Sequence, residues 1–162
     1  MHRSWYLICA LLVLGSCTDS LVYSEYKATT NGRWNKDDIK KFEVSEMDSV
    51  ANHDVFIVIR NDNTFPFSNL FLIAELNTPD NQIIRDTLEY EMADPEGNWL
   101  GKGYGSIREN KLWYKENIVF DQNGVYTIEL SHAMRQNGKV EGIDNLMGIT
   151  DVGIEVERRI EK

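Results

Sequence analysis

Cysteine is nearly absent: the 162 residues hold two, Cys9 and Cys17, both close to the N-terminus. A scaffold stapled by disulfides is therefore excluded, because no thiol remains in the rest of the chain. Histidine is almost as scarce, with His2, His53 and His132 the only three. No His-x-x-x-His or Cys pair exists, so the donor spacing that zinc needs is missing, and His53 and His132 read as strand-end or surface residues. Dense runs of Lys and Arg are lacking as well, which argues against nucleic acid and bare anionic lipid as partners. No apolar stretch after Cys17 approaches the ~20 residues of a membrane-spanning helix. Internal repeats, low-complexity tracts and a second-domain boundary are also missing.

What is present at the N-terminus is a short cationic start at Arg3, an apolar run from Trp5 to Leu14, and then Leu14-Gly15-Ser16-Cys17. An h-region of this length is that of a secretory signal, and small residues before a cysteine form a bacterial lipobox. Cys9 does not compete, since bulky Leu7 and Ile8 precede it. The expected organisation is a lipoprotein signal peptide over 1–16, a lipid-anchored tether over 17–26 and one domain over 27–162. Cys17 would carry a diacylglycerol through its thiol and an acyl chain such as palmitate on its amine. Two or more chains make such attachment stable, whereas a single myristoyl chain binds reversibly. No other cofactor is expected. A tether of that length keeps the domain within about 30 Å of the membrane.

Removing the signal leaves 146 of the 162 residues, with 16 Lys and Arg against 26 Asp and Glu, a formal charge of −10. That length suits a single core without covalent staples.

Hydropathy along the mature chain alternates with a period of two. Phe42 and Val44 alternate with polar residues over 41–45, and Val152, Ile154 and Val156 do so near the C-terminus. Val55 to Ile59 is apolar on both faces, as a central strand is, and Leu70 to Ala74 repeats the pattern after the Phe65-Pro66-Phe67 break. Over 84–92, Ile84, Leu88, Tyr90 and Met92 share an inner face on which Asp86 is the exception. Asn123-Gly124 predicts a tight turn pairing the run that ends at Phe120 with Tyr126, Ile128 and Leu130 as a hairpin. Helix is restricted to 131–137 and 109–114. Seven or eight short strands without covering helices predict an all-β fold, a single antiparallel β-sandwich of jelly-roll or immunoglobulin-like topology.

Catalytic motifs are not found. Gly97 to Gly103 lacks the spacing and the Ser or Thr of a phosphate loop. Asp37-Asp38 and Asn61-Asp62-Asn63 lack the ligand spacing of a calcium loop. Ser68, Ser106 and Ser131 have no nucleophile elbow, and Asp94 with Glu96 is one carboxylate pair among many. No small-molecule substrate is expected, and the chain reads as a non-enzyme. Trp34, Trp99, Trp113 and Tyr104 are open to two readings, core packing or a platform for sugar rings. The long Ala93–Asn110 loop carries Trp99 and Tyr104, and loops of that length are often functional.

Several tracts together resemble the GldH family of gliding-motility lipoproteins: Val22 to Tyr26, Arg60-Asn61-Asp62-Asn63, Phe65 through Leu72, Asp86 to Tyr90, Leu112 to Glu116, His132 to Arg135, and Gly148 to Gly153. The resemblance implies a Bacteroidetes cell-envelope lipoprotein linked to surface-adhesin movement and the type IX secretion apparatus, without catalysis. It carries over one functional residue, the acylated Cys17. Candidate partner-binding residues are Phe65, Phe67, Trp99 and Tyr104, because exposed aromatics at loop tips are common interaction anchors. The expected partners are the membrane, through the lipid, and other envelope lipoproteins or secretion and gliding proteins. An envelope glycan-binding module is the alternative. With Thr18 and Asp19 following the cysteine, an aspartate retention signal is out of position, and a periplasm-facing outer-membrane location is expected.

Overall fold

The computed structural model describes residues 20–160, so the signal peptide and Cys17 lie outside the described residues. Within the described residues ten strands follow one another: β1 Leu21–Ala28, β2 Arg33–Asn35, β3 Lys40–Val44, β4 His53–Asn61, β5 Asn69–Asn77, β6 Ile83–Glu91, β7 Arg108–Ile118, β8 Tyr126–His132, β9 Asn145–Met147 and β10 Ile149–Arg158. Among the described residues there is no helix.

Eight of these strands form two four-stranded antiparallel sheets, ordered β1-β10-β4-β7 and β3-β8-β5-β6, while β2 pairs with β9. Every connection between the eight crosses from one sheet to the other except the β5–β6 hairpin. That is jelly-roll connectivity, and it decides between the two topologies expected from the sequence.

The inner faces are set by alternation. Val55, Ile57 and Ile59 of β4 and Val152, Ile154 and Val156 of β10 meet Phe42, Leu70, Leu72 and Leu130 of the facing sheet, all fully buried. β4 lies between β10 and β7 and is covered on its outer face too, where Phe56 packs against Trp113 at 4.4 Å between ring centroids. β5 differs from the expected pattern: Phe71 and Ile73 stay half-exposed on its outer face. Tyr26 lies flat over Gly153, where a Cβ would approach its ring to 2.6 Å, and the Arg60 guanidinium sits 4.2 Å above that ring.

Three expectations are corrected. Residues 21–26 of the expected 17–26 tether belong instead to the edge strand β1, Leu21–Ala28, paired with β10 from Leu21 with Glu157 to Ala28 with Asp151. The Asn123-Gly124 hairpin does not form, since β7 and β8 belong to different sheets. Residues 109–114 are extended in β7 rather than helical, and β8 continues to His132.

His53 and His132 stand at strand ends as expected, yet both are buried, against rings rather than water. His53 meets Phe120 edge-on at 5.4 Å, and His132 meets Trp34 at 5.5 Å. Burial lowers the pKa of each, so both are held neutral. His132 Nε2 lies 3.0 Å from the Trp34 carbonyl, which requires the Nε2–H tautomer and leaves Nδ1 without a partner.

Candidate interaction surface

The antiparallel registers divide the sandwich into two ends. One end, the near end, collects the start of β1 at Leu21, the C-terminus of β10, and the β3–β4, β5–β6 and β7–β8 connections. The far end collects the β1–β3 segment with β2, the β4–β5 turn, the Ala93–Asn110 loop and the β8–β10 segment with β9. A strand of nine residues at ~3.3 Å each separates the two ends by about 30 Å.

The far end is built from turns locked onto one another. Gly148, at φ 82°, accepts a hydrogen bond from Asp62 N (2.8 Å) and donates one to Gly32 O (2.8 Å). Its Cα faces the Phe65 backbone so closely that a Cβ would lie 2.2 Å from Phe65 N, which leaves glycine as the residue that fits. In the Ala93–Asn110 loop, Asn98 N and Nδ2 donate to the Asp94 carboxylate at 2.7 and 2.9 Å. The Asn98 amide holds that carboxyl below the usual range, and Asp94 is engaged in the turn rather than paired with Glu96. A second small hairpin closes where Lys102 and Glu109 exchange backbone hydrogen bonds at 2.9 and 2.7 Å. Asn110 ties this loop to the sheet, donating from Nδ2 to Ile59 O (3.1 Å) and Asn61 Oδ1 (2.9 Å).

The four candidate contact residues fall into different environments. Tyr104, at the tip of the 102–109 hairpin, is fully exposed. Phe67 is half-buried and lines a groove of about 650 Å³ on the outer face of the second sheet, between the 66–68 turn and the 133–138 segment. Trp99 is half-buried and leans on Phe65 at 6.1 Å. Phe65 is corrected from a surface anchor to a core residue: it is 3% exposed, because the Pro66 turn folds it inward against Phe67 and the Gly148 backbone. Sequence reading missed three groove residues, Phe71, Ala133 and Met134. Phe71 N approaches Met134 Sδ at 3.2 Å, and Ala133 N donates to Phe71 O at 2.9 Å. The His132 to Arg135 tract was the available signal, though only the folded chain sets it beside Phe67.

The aromatic platform does not assemble. Trp34 is fully buried, with its indole N–H donating to Asp38 O at 2.9 Å, and Trp113 lies apart on the outer face of the first sheet. That face is a charge network. Lys111 Nζ reaches Glu155 and Glu157 at 2.7 and 2.6 Å, and Tyr26 donates to Glu155 at 2.6 Å. Burial opposes the charge on Glu155, but Lys111 and Tyr26 overcome it and hold its carboxyl below the usual range. At the sheet edge, Tyr90 donates to the Trp113 carbonyl at 2.6 Å, and burial pushes its phenol up to about 12.

A second far-end cavity, of about 660 Å³, is polar, lined by Thr30, Asn31, Arg33, Asn35, Asp38 and Asn145 among others. Two ion pairs stand beside it: Lys36 with Asp144 at 2.6 Å, and the buried Lys40 with Asp38 at 2.7 Å, Lys40 also donating to Ala28 O at 2.8 Å. Among the described residues, no group of three His, Cys, Asp or Glu side chains is placed to hold a metal ion.

The family profile described as GldH lipoprotein matches residues 21–156. A Christiangramia forsetii protein described as a gliding motility lipoprotein GldH homolog is 47% identical over 151 residues, covering 93% of this chain and 92% of its own length. The gliding motility lipoprotein GldH of Flavobacterium johnsoniae is 40% identical over 159 residues, covering 98% of each. Among solved structures, the VP2 subviral particle of infectious bursal disease virus aligns over 84% of this chain and 30% of that one, with 14% identity and a TM-score of 0.35.

Proposed function

The chain belongs to the GldH lipoprotein family, and from that premise we propose that it is a non-enzymatic accessory protein of the cell envelope, anchored through Cys17, that supports gliding-motility and type IX secretion-linked machinery by protein–protein contact. The observation that carries this reading is the polarity of the jelly roll. Strand β1 begins at Leu21, so three residues, Thr18 to Ser20, join it to Cys17, and the four residue-to-residue steps reach at most about 14 Å. The near end is thereby held at the membrane. The far end, with Tyr104 and the Phe67 groove, faces away from it and is available to other envelope proteins. Localisation to the periplasmic face of the outer membrane belongs to the same reading.

The test is a deletion strain complemented with the wild-type chain or with Cys17→Ser. Loss of secretion or of surface-adhesin movement, restored by the wild type and not by Cys17→Ser, is the expected result. Unchanged envelope assembly, secretion and motility in the deletion strain would overturn the proposal.

A further inference from the structure

The large apolar side chains left exposed are not spread over the sandwich. Among the described residues, and apart from Trp113, they sit at its two ends. At the near end Val50 is 86% exposed, Ile160 57%, Val125 47% and Val119 40%. The segments that carry them are tied together: Arg159 N donates to Asn52 O (2.8 Å), joining the segments of Ile160 and Val50, and Asn117 N donates to Asp54 Oδ1 (2.9 Å), joining those of Val119 and Val50. Nearby cations are already paired, Arg158 with Asp48 at 2.5 Å and Arg159 with Glu116 at 2.8 Å.

We propose that the near end is itself a membrane-contact surface, in which Val50, Val119, Val125 and Ile160 enter the headgroup boundary of the bilayer that holds the lipid anchor. This rests on the reading of Cys17 as the acylated residue. The occupant follows from continuity. A tether of at most about 14 Å from Leu21 holds these loops against the bilayer, so the second contact forms at high effective concentration even where each side chain binds weakly. Apolar insertion rather than charge drives it, since the arginines at this end are bonded to Asp48 and Glu116. The far end carries exposed apolar residues too, among them Leu100, Tyr104 and Val140. Standing about 30 Å beyond the near end, they are out of reach of the same bilayer. Seating the near end would fix the long axis of the jelly roll upright and present the far loops at a set height.

The test uses the mature lipidated protein, which has no free thiol once Cys17 is acylated. Single cysteines are introduced as Val50→Cys, Val125→Cys and Tyr104→Cys, labelled with an environment-sensitive fluorophore and reconstituted into phosphatidylcholine and phosphatidylethanolamine vesicles. The expected result is blue-shifted emission at positions 50 and 125, with quenching by spin-labelled lipid several-fold stronger than at position 104. Emission at 50 and 125 as water-like as at 104, in protein that floats with the vesicles, overturns the contact surface and leaves the anchor standing. Comparable quenching at all three positions also overturns it, since the domain then lies flat. If the protein carries no lipid and does not float, or if Cys17→Ser floats equally well, the anchor reading fails and this inference fails with it.

Discussion

Replacing Gly148 by alanine measures how tightly the far-end loops depend on one backbone position. Two costs combine there. The residue sits at φ 82°, in the left-handed region, where a Cβ costs roughly 1–2 kcal/mol. The new Cβ would also lie 2.2 Å from Phe65 N and 2.4 Å from its Cα. No rotamer change relieves an overlap with backbone, so the β4–β5 turn must move, at the ~1–3 kcal/mol typical of overpacking. The reduced freedom of the unfolded chain returns ~0.4–1 kcal/mol. The net loss is about 2–4 kcal/mol, and near 150 residues each kcal/mol moves Tm by about 2–4 °C. A fall of about 5–15 °C is therefore expected in thermal unfolding, made in a soluble Cys17→Ser background. Gly97 is the control: its φ is 86°, but nothing lies within 4 Å of its added Cβ. Gly97→Ala should then cost about 1 kcal/mol or less, because it meets only the conformational term. Equal losses in the two variants would falsify the contact argument.

Phe65→Ala should destabilise by about 3–5 kcal/mol in urea unfolding, the range of a buried phenylalanine, whereas Tyr104→Ala should stay within about 0.5 kcal/mol. Matching effects would mean that the two rings share one environment. Asn110→Ala removes the donor to Ile59 O and Asn61 Oδ1 and should cost about 1–3 kcal/mol. Hydrogen exchange should then quicken selectively over 93–110, and a uniform change along the chain would contradict the tie assigned to Asn110. His53 and His132 supply a pH dependence. Burial lowers the folded pKa of both below the ordinary 6.5, so the unfolded chain binds more protons and stability falls as pH drops below that value. His132→Gln should flatten this slope in pH-dependent urea titrations, and an unchanged slope would exclude His132 as a source.

Strands were legible in the sequence wherever one face had one environment. Phe42 with Val44 and Val152 with Ile154 and Val156 alternate because one side chain in two enters a dry interior. β1 gave no such signal. It is an edge strand in which Leu21 and Val22 are both exposed, so its residues read as tether. The turn at Asn123-Gly124 misled for a different reason: local turn chemistry cannot say whether the next strand returns to the same sheet, and in a jelly roll most connections cross. The candidate surface was legible only as a set of aromatics at apparent loop tips. Whether such a ring faces water depends on partners far away in sequence. Phe65 turns inward because Gly148 opens space for its backbone, and Tyr104 stays outside because its hairpin tip meets nothing. The groove beside Phe67 needed Met134, 67 positions along the chain, and local pattern could not supply it.

One end of the jelly roll is proposed to belong to the membrane and the other to protein partners. Photocrosslinking in living cells tests it most directly, with a photoreactive side chain placed at Tyr104 in one strain and at Val125 in another. Discrete protein adducts are expected from position 104, and lipid adducts without discrete protein bands from position 125. Protein adducts from 125 with none from 104 would contradict it.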